Sequence, residues 1–335
     1  MAWDMYLWRL LQMKEVKKTL NGIKVIDLFA GIGGFHLAFS SFGAEIIYAS
    51  EWDKAAADIY EKNFKITPAG DITKIKASEI PDHDVLCAGF PCQAFSISGK
   101  RKGFEDSRGV LFFDVARIVK EKKPKVVFME NVKNFATHDN GNTLNVVKNT
   151  MERLGYTFFY KVLNAADYNI PQSRYRIYMV AFRNDLNITE FKFPEKKVLK
   201  YNVKSVLLPS NQTSKYAICR KDIVMNGKEE QISTKPFRLG IVNKGGQGER
   251  IYSSLGTAIT LSAYGGGVGA KTGIYLIDGK LRRLAPRECA RLTGFPDDFI
   301  ISQNDNTAYK QFGNSVVVDV LQCIIEEIIA IGGVF

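Results

Sequence analysis

The chain has 335 residues, of which 46% are hydrophobic and 24% charged, which excludes a disordered protein and leaves room for one large domain or two modest ones. Its formal net charge of +11 favours a polyanionic partner, most simply nucleic acid. The five cysteines form no CxxC pair and there are only three histidines, so the usual structural zinc site is excluded.

The N-terminal segment, residues 1–22, interrupts its apolar residues with charges such as Asp4, Arg9 and Lys14. A signal peptide would instead carry a continuous apolar run. No stretch of the chain reaches the ~18 uncharged apolar residues that a membrane span needs. The sequence therefore predicts a cytoplasmic protein with reduced thiols.

Short β-branched runs alternate with helix-length segments from residue 24 to about 185. The predicted strands are 24–29, 45–50, 84–89, 125–130 and 176–182. The predicted helices between them are 35–42, 53–64, 109–122 and 144–155. This alternation predicts an α/β fold built on a doubly wound, Rossmann-like parallel sheet with helices on both faces.

The first predicted strand runs into a glycine turn, DLFAGIGG at 27–34, where the backbone can approach a ligand closely. The second ends in Glu51-Trp52-Asp53, which offers an acid for ribose hydroxyls and an aromatic ring for a purine. Asp71 is a third acid, expected at a strand end, that could bind an adenine amino group.

Two nucleoside cofactors fit this pattern. NAD favours a complete GxGxxG, but His36 stands at the third glycine position. S-adenosylmethionine has no phosphates and needs only the turn, the acid and an adenine slot. A purely structural glycine turn is the remaining alternative.

Cys92 lies in a loop of small residues after a predicted strand, close to Lys100, Arg101 and Lys102. Exposure and nearby positive charge favour the reactive thiolate, although an inert loop cysteine fits as well. Cys87, inside the preceding strand, is expected to be a buried core thiol.

Glu130 ends the apolar run KVVFME, where burial would raise the pKa of its carboxyl toward proton donation at neutral pH. A surface acid capping a helix is the alternative. Arg174 and Arg176 are two residues apart, so we expect both on one side of a strand, where they could hold a carbonyl or phosphate. An exposed pair on an edge strand is the other possibility.

The character of the chain changes near residue 195. Segment 240–273 is rich in glycine and contains short strand-like pieces such as 258–263, which predicts a loop-rich second domain. Segment 316–331 carries one apolar helical stripe, and we expect this helix to pack on the first domain.

Six motifs, in unpermuted order, resemble those of the DNA (cytosine-5)-methyltransferases of bacterial type II restriction–modification systems. They are DLFAGIGG, GFPCQAFSISG, MENVKNF, QSRYRIY, RECARLTGFP and QFGNSVV. The resemblance covers about residues 23–325 and is particularly close to a member that modifies the inner cytosine of GCGC. The segments 1–22, 195–235 and 297–308 depart from the family pattern.

The resemblance implies methyl transfer from S-adenosylmethionine to C5 of a cytosine flipped out of duplex DNA, with S-adenosylhomocysteine as product. It implies that Cys92 attacks C6, Glu130 contacts N3, Arg176 binds O2 and Arg174 supports the same pocket. The implied cofactor residues are Phe29, Gly31, Gly33, Gly34, Glu51, Trp52, Asp71, Ile72, Asn314 and Val316. The implied DNA contacts are Gln93, Ser96, Ser98, Gln247, Arg250, Thr260 and Tyr264.

The resemblance also implies a division into five regions. These are an N-terminal extension (1–22), a catalytic and cofactor-binding domain (23–200), a target-recognition domain (201–285), a connecting hinge (286–313) and a returning C-terminal helix (314–335). We expect a metal-free monomer that is paired functionally, but not physically, with a restriction endonuclease. The loop 88–108 is expected to close over bound DNA. The alternatives are a tRNA cytosine-5 methyltransferase, a catalytically inactive DNA-binding relative and, more remotely, a nicotinamide oxidoreductase.

Overall fold

The computed structural model describes residues 19–91, 111–227 and 235–335. The N-terminal extension up to residue 18, Cys92, Gln93, Ser96, Ser98 and most of the loop 88–108 lie outside the described residues. None of the described helices is long and apolar enough to cross a membrane.

The chain divides into two compact units. The first to be described, the sheet unit, comprises the described residues of 19–163, 175–194 and 322–335. The other, the recognition unit, comprises the described residues of 164–174 and 195–321.

The sheet unit contains six strands in the order β2-β1-β3-β4-β6-β5. Their bounds are β1 Lys24–Leu28, β2 Glu45–Ser50, β3 Val85–Ala88, β4 Val126–Val132, β5 Tyr156–Asn164 and β6 Tyr175–Arg183. The helices between them are α1 Gly34–Ser40, α2 Lys54–Phe64, α3 Leu111–Lys122 and α4 Asn142–Arg153. Because strand order reverses between β1 and β3, the carboxyl ends of these strands form the switch point where such sheets bind ligands.

Helices cover both faces of this sheet. Val127 and Met129 of β4 belong to the core that includes residues of α3 and α4. Phe128, between them, packs edge to face on Phe35 of α1, with 5.2 Å between ring centroids. Successive residues of a strand point to opposite faces, so α1 lies opposite α3 and α4, as predicted for a doubly wound fold.

The prediction of an all-parallel sheet is wrong at one edge. Strands β2, β1, β3 and β4 pair in parallel, but β6 runs antiparallel to β4. Strand β5, which the sequence analysis missed, is the edge strand beside β6. The short connection from Asn164 to Tyr175 holds only a 3-10 helix, whereas a parallel crossover needs a dozen or more residues.

The recognition unit is built on a second, five-stranded sheet with the order β11-β10-β9-β8-β7. Its strands are β7 Ile223–Met225, β8 Arg238–Val242, β9 Arg250–Ser253, β10 Ile274–Ile277 and β11 Lys280–Arg282. The helices that follow β11 are α5 Pro286–Leu292, α6 Asp305–Asn314 and α7 Val318–Ala330. From Gln322 onward α7 belongs to the sheet unit, where the Gln322 amide donates to the Ser41 hydroxyl at 2.9 Å.

Segment 258–263 is not a strand, contrary to the sequence-based prediction. Among the described residues it forms one isolated parallel β-bridge, between Ala258 and Gln172. In this bridge the Ala258 N–H donates to the Pro171 carbonyl and the Ser173 N–H donates to the Ala258 carbonyl, at 2.8 Å each. The segment is therefore bound to another loop and not to a sheet.

Candidate active site and nucleic-acid interface

The turn after β1 takes a left-handed backbone path. Phe29, Gly31 and Gly33 have φ angles of 56°, 56° and 92°. A side chain at Gly33 would also overlap the ring of Phe64. The turn therefore needs glycine at position 33 for both its conformation and its packing, and it leaves the backbone accessible at the end of β1.

The carboxylate of Glu51, at the end of β2, is bonded to this turn. Its Oε2 accepts from the Gly31 N–H at 2.8 Å, and its Oε1 accepts from the Asp53 N–H at 2.7 Å. Burial raises the pKa of Glu51 above its ordinary value, against the opposing effect of these two donors. The next residue, Trp52, has 77% of its surface exposed. The structure thus brings together the predicted acid and turn, next to an open aromatic face.

Asp71 does not end a strand, contrary to expectation. It caps the 3-10 helix Ile72–Lys74 and accepts from the Thr73 hydroxyl at 2.8 Å, which lowers the pKa of Asp71. The preceding residue, Gly70, accepts from the Ser50 hydroxyl at 2.7 Å. Asp71 is therefore held beside the end of β2 by loop hydrogen bonds, and Ile72 next to it is buried.

A second buried acid, Asp27, lies below the turn and was not predicted as a site residue. It is 1% exposed, and burial together with the like charge of Glu51 raises the pKa of Asp27 well above its ordinary value. It pairs in register with Cys87, whose thiol is fully buried as expected, with a pKa raised by burial. Nearby, His36 Nδ1 lies 2.8 Å from the Tyr60 hydroxyl.

Glu130 and Arg176 form an ion pair at the end of β4. Arg176 Nε lies 3.0 Å from Glu130 Oε1, and Glu130 is 7% exposed. The antiparallel register pairs Arg176, at the start of β6, with Val132 at the end of β4. The unexpected direction of β6 is therefore what brings the predicted arginine to the predicted acid.

Arg174 does not share a strand face with Arg176, contrary to expectation, because β6 begins at Tyr175. Its guanidinium donates to the carbonyl of Leu261 at 3.2 Å, of Gly313 at 2.9 Å and of Ser315. All these residues belong to the recognition unit. Arg174 is therefore engaged with backbone carbonyls of its own unit.

Asn131 is a site residue that the sequence analysis missed. Its side chain is buried and donates to the Phe90 carbonyl at 2.9 Å, while its own oxygen accepts from the Val132 N–H at 2.8 Å. It therefore ties the end of β4 to the segment that leads into Cys92. The signal was an amide side chain next to Glu130, near the end of an otherwise apolar strand.

The predicted DNA contacts of the recognition unit lie on its glycine-rich loops and at the start of β9. Gln247 and Thr260 line one small pocket, whose wall also includes Lys271. Arg250 is half-buried at the start of β9, and Tyr264 has 81% of its surface exposed. The structure brings Gln247 and Thr260 together and leaves the Tyr264 ring open to solvent.

Close glycine contacts hold these loops together. The Gly269 N–H donates to the Gly248 carbonyl at 2.6 Å. A Cβ on Gly248 would collide with the carbonyl oxygen of Gly266 and lie 3.0 Å from its carbon. The backbones of the two loops therefore touch where any side chain would separate them.

Asn314 and Val316, the predicted cofactor residues of the C-terminal motif, belong to the recognition unit. Asn314 is the exposed last residue of α6, and Val316 is buried in the connection to α7. The carbonyls on either side of Asn314 are those that Arg174 holds.

Comparison with known proteins places this arrangement in a family. The family described as C-5 cytosine-specific DNA methylase matches residues 23–330. The chain is 65% identical over 314 residues to the type II methyltransferase M.HhaI of Haemophilus parahaemolyticus, covering 93% of this chain and 96% of that protein. It is 44% identical to M.SsoII of Shigella sonnei, covering 92% and 80% of the two chains.

Solved structures share the fold at lower identity. The Dnmt2 methyltransferase of S. pombe matches with a TM-score of 0.69 and 23% identity, over 90% of this chain and 97% of that one. A putative DNA modification methyltransferase from an E. coli prophage matches with a TM-score of 0.69 and 20% identity, over 92% and 98%.

Proposed function

This chain belongs to the family of C-5 cytosine-specific DNA methylases, and we propose that its target is the inner cytosine of GCGC in double-stranded DNA. It is a DNA (cytosine-5)-methyltransferase, and its relatives are type II methyltransferases of restriction–modification systems. The proposal of GCGC rests on the particularly close sequence resemblance to a member with that specificity.

The cofactor of this family is S-adenosylmethionine, which supplies the methyl group that C5 of cytosine accepts. The side chains and backbone at the carboxyl ends of β1 and β2 are suited to bind this cofactor. Glu51 offers carboxylate oxygens to ribose hydroxyls, Trp52 offers an open ring to adenine, and the Phe29–Gly34 turn allows close backbone approach. We assign Asp71, Ile72, Asn314 and Val316 to cofactor binding as well.

The Glu130–Arg176 pair is the observation that carries the proposed mechanism. C5 of cytosine is a weak nucleophile, so the Cys92 thiolate first forms a bond to C6. The electrons of the C5–C6 double bond form a C4–C5 double bond, and those of the C4–N3 double bond move to N3, where Glu130 donates a proton. The resulting enamine makes C5 nucleophilic. Arg176 binds O2 and holds the ring in place.

The second half of the reaction restores the aromatic ring. S-adenosylmethionine would supply the methyl group to C5 and leave as S-adenosylhomocysteine, while N3 returns its proton to Glu130. The C5 proton then leaves to a base, and its electron pair re-forms the C5–C6 double bond. The C6–S bond breaks at the same time and Cys92 departs as thiolate. A stacked base cannot reach the cysteine, so the nucleotide is flipped out of the helix.

The recognition unit reads the DNA sequence in this proposal. Arg250 contacts guanine in the major groove, and Gln247 fills the space that the flipped cytosine leaves. Ser98 approaches from the minor-groove side, and Gln93, Ser96, Thr260 and Tyr264 complete the DNA contacts. The net charge of +11 supports a polyanionic partner.

We further propose a metal-free monomer in the bacterial cytoplasm. Its methylation protects DNA from a cognate restriction endonuclease with which it makes no physical complex. The target-recognition domain is assigned to 201–285 and the connecting hinge to 286–313.

A covalent trap tests the mechanism. A GCGC duplex with 5-fluorocytosine at the inner position, supplied together with S-adenosylmethionine, carries fluorine in place of the C5 proton. After methyl transfer the thioether cannot be eliminated, so a protein–DNA adduct survives denaturing electrophoresis. We expect the adduct with the wild-type protein and with Cys219→Ser, which removes an exposed cysteine of the recognition unit. An adduct that persists in Cys92→Ser would contradict the assignment of the nucleophile.

A further inference from the structure

The guanidinium of Arg174 joins two segments that the proposed function assigns to different ligands. We propose that Arg174 is a positioning residue that couples the cofactor segment 313–316 to the DNA-contacting segment 258–264, and so makes cofactor and DNA binding cooperative. The inference rests on the proposed function, because that function assigns Asn314 and Val316 to the cofactor and Thr260 and Tyr264 to DNA.

The hydrogen bonds of Arg174 run to both segments at once. One guanidinium nitrogen donates to the Leu261 carbonyl at 3.2 Å, next to Thr260. The other donates to the Gly313 carbonyl at 2.9 Å and to the Ser315 carbonyl, on either side of Asn314. Arg174 is 1% exposed, so these bonds do not compete with water.

The segment that carries Arg174 is itself fixed to one of the two partners. The Thr260 hydroxyl donates to the Ser173 carbonyl at 2.6 Å, and the Leu261 N–H donates to the Gln172 side chain at 3.3 Å. The Gln172 amide also donates to the Leu292 carbonyl at 2.7 Å. Because residues 172–174 are bound to 258–261, the guanidinium extends this connection by hydrogen bonds to 313–315. Gly313 also packs directly on the backbone of Ser262 and Ala263, so the guanidinium adds directional hydrogen bonds to an existing contact.

A planar guanidinium constrains the relative position of the groups that it binds. Its donors are fixed in one plane, so the two segments can satisfy them together only in one relative position. A ligand that orders either segment in that position lowers the cost of ordering the other. Such coupling is reciprocal: the cofactor strengthens DNA binding by the same factor by which DNA strengthens cofactor binding.

The test is the affinity for a GCGC duplex with and without S-adenosylhomocysteine, measured for the wild-type protein, Arg174→Lys and Arg291→Lys. Arg291 is the matched control, because it is 4% exposed in the same unit and donates to the Val206 and Leu207 carbonyls at 3.1 and 3.2 Å. We expect at least about fivefold tighter DNA binding with the cofactor product in the wild type and in Arg291→Lys. In Arg174→Lys, the ratio of the DNA dissociation constants without and with S-adenosylhomocysteine should fall toward one. A titration with S-adenosylhomocysteine, with and without the duplex, should show the same loss of coupling.

Each other outcome is decisive. The coupling role is overturned if S-adenosylhomocysteine does not change the DNA affinity of the wild type, or if Arg174→Lys keeps the wild-type ratio of affinities. It is also overturned if Arg291→Lys loses the cofactor effect to the same extent as Arg174→Lys. If Arg174→Lys and Arg174→Gln both fail to fold while Arg291→Lys folds, Arg174 is a stability residue and the inference is again overturned. Failure of the wild-type protein to bind the duplex at all would refute the proposed function instead.

Discussion

The two candidate sites in this molecule are built by different means. At the strand ends of the sheet unit, Glu51 and Glu130 are buried, and each is held by specific donors: backbone N–H groups for one, Arg176 for the other. In the glycine-rich loops of the recognition unit, the side chains assigned to DNA are half-buried or exposed, and contacts between backbones fix their position. Substitutions in the first region should therefore change reaction rate, and those in the second should change discrimination between DNA sequences.

The largest effect should follow Glu130→Gln. Loss of the proton donor to N3 should slow methyl transfer by about 10²–10⁴-fold in single-turnover experiments. Affinity for the GCGC duplex should remain close to that of the wild type. An affinity loss as large as the rate loss would show that Glu130 acts in binding, and the distinction between the two regions would fail.

Arg250→Ala should give the converse result. We expect a loss of ~1–3 kcal/mol in binding, concentrated on one guanine of the site and measured by competition among duplexes with single base changes. Lys244→Ala, which removes an exposed charge near β8, is the control and should weaken binding to all duplexes alike. A uniform loss in Arg250→Ala would make this residue a phosphate contact.

Gly248→Ala should disturb the same recognition without removing a polar group. Its Cβ would collide with the Gly266 carbonyl and separate the two loops, which should cost about 1 kcal/mol in binding to GCGC. In Gly266→Ala the new Cβ meets no atom within 4 Å, so the loss should be smaller. Equal losses in both variants would show that loop contact at Gly248 does not position the DNA-binding residues.

A separate effect concerns stability and pH in the sheet unit. Burial raises the pKa of Asp27 in the folded protein, so the folded state holds its proton more tightly than the unfolded state. The contribution of Asp27 to the free energy of unfolding is therefore fully present below its unfolded-state pKa of about 4 and is lost as the pH rises through its folded-state pKa. The free energy of unfolding of the wild type, measured by urea denaturation, should therefore fall across that range. Asp27→Asn should flatten this dependence, whereas Asp58→Asn, on an exposed side chain, should retain it. An unchanged slope in Asp27→Asn would show that this acid is not the source.

Local sequence patterns predicted which segments meet at the strand ends. The glycine turn and Glu51 follow two strands whose pairing is parallel, so their carboxyl ends meet at one edge, and the structure joins them by a hydrogen bond. The position of Asp71 and the contacts of Arg174 were predicted wrongly because both depend on bonds between distant segments. The carbonyl partners of Arg174 lie 87 to 141 residues further along the chain.

The glycine-rich region was predicted as a loop-rich domain, but not its inner arrangement. Glycine predicts conformational freedom, and it does not specify which backbone it will touch. The contact of Gly248 with Gly266 and Gly269 therefore had no sequence signal beyond the composition itself. Antiparallel β6 was missed for a related reason, since strand direction depends on the length of the connection that precedes it.

The most direct test of the central claim is bisulfite sequencing of plasmid DNA from cells that express this protein. Bisulfite converts unmodified cytosine but leaves 5-methylcytosine, so the protected positions identify the target. We predict protection of the inner cytosine of every GCGC, on both strands, and its loss in cells that express Cys92→Ser. Protection at another sequence, or none in cells that contain the folded wild-type protein, would contradict the account.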